Sequence, residues 1–193
     1  LNTDGRGELL GEFSGADKII VMTAGSKYYT TGYDLSHHFP DDTVRVEKYD
    51  SEKVYSVAYY DAGQKYYYLK RFQAEQSDRM QSFIDEDNAA SKMIAMSEHP
   101  APVLEVAFKG AQASRPADEI DVAEFIGIKS HRARGKRITT FEVKSLKFIE
   151  PEMPEPEDDP QDGEESEIKE TTPEQPDVIL PQETSSEADE ANN

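Results

Sequence analysis

The chain has 193 residues, a formal net charge of −19 and no cysteine, which excludes a disulfide framework and any cysteine-based zinc site. No apolar run approaches the roughly 18 residues of a membrane-spanning helix, and no signal-peptide pattern opens the chain. The first residue is Leu1 rather than Met, so a piece of a longer polypeptide is expected. The lack of cysteine, membrane span and signal peptide together lead us to expect a cytoplasmic one.

The first strand-like elements are the apolar runs 18–23 and 27–31, separated by Ala24 and Gly25. A second pair, 53–60 and 65–71, is separated by Ala62 and Gly63. Glycine between β-branched and aromatic runs signals a hairpin, because it supplies the positive φ of a tight turn. The two turns are also related in sequence. Ala24-Gly25-Ser26-Lys27-Tyr28-Tyr29 repeats as Ala62-Gly63-Gln64-Lys65-Tyr66-Tyr67 at an offset of 38 positions.

Residues 73–85 have some helical composition, yet Ser82-Phe83-Ile84 reads equally well as a strand. A third hairpin is expected from 92–97 and 103–109, joined through Pro100 and Pro102; within it Leu104, Val106 and Phe108 alternate with Glu105, Ala107 and Lys109. A fourth turn at Arg134-Gly135-Lys136 is expected to join 124–129 to 136–144. About four hairpin units at this spacing predict an all-β, propeller-like blade architecture over residues 1–150. A β-sandwich with evenly spaced turns is the competing arrangement.

Beyond Ile149 the composition changes. Residues 151–193 hold sixteen Asp or Glu against Lys169 alone, a charge of −15 that leaves −4 on residues 1–150. Such a segment cannot bury enough apolar surface to offset an ordering entropy of roughly 1–2 kcal/mol per residue. A disordered acidic tail is therefore expected. Its apolar island, Val178-Ile179-Leu180 between Pro176 and Pro181, reads as a chance cluster rather than a docking motif.

No catalytic set emerges. His37 and His38 stand beside Asp41 and Asp42, but adjacent residues rarely face one ion together, so a solvated loop is expected rather than a metal site. His99 lies in a proline-rich turn. Asp85-Glu86-Asp87 lacks the opposed, environmentally split carboxylates that acid–base work requires. No glycine-rich phosphate cradle is present. The domain is expected to be non-enzymatic, with no catalytic, cofactor or metal residues.

The most informative segment is Lys129-Ser130-His131-Arg132-Ala133-Arg134-Gly135-Lys136-Arg137, in which five of nine residues are Lys or Arg. Arginines there would give bidentate phosphate contacts, lysines point charges, and His131 partial charge. Lys27, Lys65, Lys70, Arg71, Lys109 and Arg115 are further candidates. Lys27 and Lys65 occupy the same repeat position and are expected to project from equivalent edges. The Tyr-rich strands read as core packing rather than base-stacking platforms.

Residues 118–140, running from Asp118-Glu119-Ile120-Asp121 through the basic segment to Ile138-Thr139-Thr140, carry a family resemblance. They resemble the final part of the A subunit of bacterial type IIA topoisomerases, most of all topoisomerase IV or gyrase A subunits of the Bacteroides group. The stretch 17–27 looks like a blade of the same C-terminal domain, and the resemblance spans residues 8–150. It implies a β-pinwheel whose basic rim binds and bends duplex DNA. It also implies partners: the rest of the A subunit and the B subunit of an A2B2 enzyme that uses ATP and Mg2+ outside this domain. Gyrase A subunits carry a Gln-Arg-Arg-Gly-Gly-Lys-Gly box for wrapping, and no such string occurs here. The resemblance thus implies decatenation or relaxation rather than strong wrapping, and a nucleoid-associated location.

Two other readings stand beside duplex DNA binding. One is a protein-interaction propeller fragment with an incidental basic turn; the other is an acidic chaperone or DNA mimic acting through the tail. If DNA is the partner, the tail is expected to compete with it as a tethered counter-charge.

Overall fold

The computed structural model describes residues 1–85 and 88–151. The acidic tail expected to be disordered, its apolar island, and Glu86 and Asp87 lie outside the described residues. The described residues are nearly all β, as the hairpin signals predict.

The first sheet is built on β1 (Ile19–Thr23), whose five residues are all buried. Such a continuous apolar run suits a strand covered on both faces and both edges. β2 (Lys27–Thr31) pairs with it in antiparallel fashion, and β3 (Thr43–Lys48) takes its other edge. β2 alternates, with Tyr28 and Thr30 inward. The segment 73–85 forms no helix; β6 (Gln81–Ser82) adds to the free edge of β2.

The second sheet is centred on β4 (Val54–Asp61) and β5 (Tyr66–Gln73), joined across the Ala62–Lys65 turn. β7 (Lys92–Ser97) pairs with the other edge of β4. The third sheet has β8 (Val103–Phe108) between β9 (Asp118–Asp121) and β12 (Val143–Ile149). A single helical turn, α1 (Val122–Phe125), follows β9; the Asp121 carboxylate accepts the Ala123 and Glu124 N–H groups and caps it.

The middle sheet supplies two cores, one from each face. Tyr55, Val57, Tyr59 and Phe72 pack with Ile20, Met22, Tyr28 and Phe83. Ala58 and Leu69 pack with Leu104, Val106, Phe108, Val122, Val143 and Leu146. Alternation along β4 thus sends neighbouring residues into different cores.

Two of the four expected hairpins form. β7 and β8 do not pair: Met93 and Met96 of β7 pack on the first core, whereas Leu104, Val106 and Phe108 belong to the second. Pro100 and Pro102 in the connection offer no backbone donors for a ladder. The fourth hairpin is also replaced. β10 (Ile128–Lys129) and β11 (Lys136–Arg137) both lie on the outer edge of β5, the first parallel to it and the second antiparallel. They leave β12 to pair with β8.

A cluster of charges ties these parts together. Arg45 of β3 and Lys53 before β4 both pair with Glu98, which follows β7. Lys53 also reaches Glu47 at 2.5 Å, and the Tyr55 hydroxyl donates to the same carboxylate at 2.6 Å. Burial alone would raise the Glu98 carboxyl, but the bonds from Lys53 and Arg45 outweigh it and hold it below the ordinary range.

Candidate nucleic-acid interface

The basic run is a strap rather than a free turn. Its two ends are the short strands β10 and β11, and its middle is held from beneath by Lys70. That side chain is 3% exposed. Its ammonium donates to the carbonyl oxygens of Phe83 and His131, each at 2.6 Å, and of Ala133 at 2.8 Å. Burial pulls Lys70 down to about 8. Three carbonyl acceptors match the three protons of the charged form and work against that pull.

Gly135 lets the strap lie close. A Cβ there would stand 2.2 Å from the Leu69 carbonyl oxygen. Its N–H instead donates to the Tyr59 hydroxyl at 3.2 Å. His131 is 2% exposed, edge-on to Tyr28 at 5.5 Å, with Nδ1 3.6 Å from Glu75. Burial pushes its imidazole below the ordinary value; Arg132 and Lys70 push the same way and Glu75 opposes them.

Two candidates are therefore corrected. Lys70 and His131 are internal, and neither can meet a phosphate. Lys70 spends two of its donors on the strap and the third on the Phe83 carbonyl, and the imidazole is part of the packing beneath the strap.

The other strap cations are exposed. Arg132 reaches the Gln81 side chain at 3.3 Å. Lys136 donates to the Phe125 carbonyl at 3.2 Å and lies 4.2 Å from that residue's ring centroid. Arg137 lies 4.5 Å from the Tyr66 ring. These three and Lys129 have no carboxylate partner among the described residues. Arg134 differs, with Asp85 at 2.6 Å and Asp61 at 3.5 Å.

Outside the strap the candidates scatter. Lys27 is half-buried in β2 opposite Thr23, whereas Lys65 is exposed in the turn before β5. The second turn is one residue longer, so the repeat does not place the two lysines on equivalent edges. Arg71 is half-buried and donates to the Pro100 carbonyl at 3.3 Å. Arg115 bridges Asp118 at 3.0 Å. Lys109 is exposed and lines a groove with Lys65. Sequence reasoning missed Tyr59, Gln81 and the Phe83 carbonyl, which position the strap from distant elements and leave no local signal.

Among the described residues, no group of three or more His, Asp or Glu side chains is arranged to hold a metal ion. No helix there is long and apolar enough to cross a membrane. No curated protein and no solved structure matches the chain. A family model described as the topoisomerase C-terminal domain of Bacteroidota matches residues 1–150. The chain, an all-β domain with a basic strap docked on its middle sheet, belongs to the topoisomerase C-terminal domain family of Bacteroidota.

Proposed function

We propose that this domain binds duplex DNA without reading its sequence and bends it across the strap, directing how the parent topoisomerase recognises DNA topology. The observation that carries this reading is the strap itself. Lys129, Arg132, Lys136 and Arg137 project from a segment pinned by Lys70, and none has a carboxylate to neutralise it among the described residues. Cations so arranged release counterions from a phosphate backbone, and phosphate contacts of this kind carry no sequence information.

The strap is one short basic site rather than a ring of equivalent ones. That favours transient capture of a segment, as in decatenation or relaxation, over extended wrapping. The partners on this reading are duplex DNA, the remainder of the A subunit and the B subunit. ATP and Mg2+ belong to the parent enzyme, and the setting is the cytoplasmic nucleoid.

The test is binding to linear duplex over a salt series. Affinity is expected to fall steeply from low to moderate salt and to be largely abolished when Arg132, Arg134, Lys136 and Arg137 are all replaced by Ala. A quadruple variant that binds like the parent would refute the site. A parent that ignores duplex at low salt would refute the function and leave the protein-interaction reading.

A further inference from the structure

A groove of about 260 Å³ lies beside the turn between β4 and β5, lined among others by Lys65, Tyr66, Lys109, Thr139, Thr140 and Phe141. Two of its rings are open to solvent, Tyr66 at 36% and Phe141 at 41%. Each is flanked by a guanidinium. Arg137 is 4.5 Å from the Tyr66 ring centroid, and Arg115 is 5.4 Å from that of Phe141. Phe141 is steadied from below by Phe108, edge-on at 5.9 Å.

The ammonium groups beside these rings are uncommitted. Lys65 and Lys109 are exposed and have no carboxylate partner among the described residues. Lys65 sits at φ 60, a left-handed conformation that costs a residue other than glycine roughly 1–2 kcal/mol. The turn holds it there: the Asp61 carbonyl accepts the Lys65 N–H at 2.7 Å, and the Asp61 carboxylate accepts that of Gln64 at 2.9 Å. Among the described residues that line the groove, the one acid is Glu142, which packs over Gly110, where a Cβ would come within 2.3 Å of its Oε2.

Duplex DNA hides the faces of its bases, so exposed rings gain nothing from it. Unpaired bases stack on aromatic rings and on guanidinium planes, and their phosphates pair with nearby ammonium groups. We propose that this groove binds single-stranded DNA. Bases stack on the Tyr66–Arg137 pair and on Phe141, phosphates meet Lys65 and Lys109, and the Thr139 and Thr140 hydroxyls donate to the sugar–phosphate chain. The groove is separate from the Lys129–Arg134 part of the strap and shares only Arg137 with the duplex site.

The test compares the whole chain and two variants, Tyr66→Leu and Arg132→Ala, on a labelled oligothymidine of about 15 nucleotides and on a duplex of equal length. The parent is expected to bind the single strand at low salt. Tyr66→Leu is expected to weaken that binding at least about fivefold, the lower bound for one lost base stack, and to leave duplex affinity within about twofold. Arg132→Ala is expected to act mainly on the duplex. The proposal is overturned if the parent binds duplex but not oligothymidine, or if Tyr66→Leu weakens both equally. Binding of the single strand alone would sustain it while refuting the duplex reading. Far-UV circular dichroism matching the parent establishes that Tyr66→Leu is folded.

Discussion

The Lys70 ammonium donates to the His131 carbonyl at 2.6 Å, across 61 positions of sequence. This contact, with those to Ala133 and Phe83, makes a buried charge the anchor of the most basic segment of the domain.

Lys70→Met is expected to leave those carbonyls without a donor and to cost about 1–3 kcal/mol of stability. Amide exchange of residues 130–137 should accelerate, and duplex affinity should fall, although Lys70 itself is out of reach of DNA. Urea unfolding and hydrogen exchange check this. Unchanged protection of the strap would show that the anchor is idle.

Gly135→Ala should also displace the strap, because the new methyl collides with the Leu69 backbone. A loss of about 1–3 kcal/mol is expected, as for other overpacked sites. Gly127→Ala is the control, since nothing lies within 4 Å of a Cβ there. Thermal unfolding of the pair should separate close approach from a general intolerance of substitution.

Acid should loosen the domain through His131. The unfolded chain takes up this proton near 6.5, whereas the buried imidazole resists until a lower pH. The stability contributed by the neutral ring is therefore complete above about 6.5 and is lost as pH falls from there through the folded-state value. Urea midpoints at about pH 7.5 and 5.5 should differ more for the parent than for His131→Leu. Equal differences would assign the acid sensitivity elsewhere.

Within the strap, Arg132 and Arg134 should not be equivalent. Arg132→Ala is expected to reduce the slope of log affinity against log salt by about 1. Arg134→Ala should reduce it less, because Asp85 and Asp61 already claim that guanidinium. Salt-titrated duplex binding of the two variants measures the difference.

Removing residues 151–193 deletes a charge of −15. If the tail competes with DNA for the strap, truncation should tighten duplex binding several-fold at low salt and progressively less as screening increases. Equal affinities at low salt would reject the competition.

The sequence by itself determined what depends on neighbours along the chain. Gly25 and Gly63 marked two hairpins, although the positive φ expected of those glycines falls instead on Ser26 and Lys65, the last residue of each turn. The period-two pattern of Leu104, Val106 and Phe108 identified a strand by its half-buried face. The basic run and the acidic tail were legible as composition. Tertiary structure alone decided which edges meet. The strand Lys92–Ser97 left its expected partner for β4, and the strap settled on β5, because burial in one of two cores rewards contacts that no local pattern encodes. The same reason divided the cations. Lys70 and Arg132 look alike in sequence, yet one is spent on three carbonyls inside the fold and the other faces solvent.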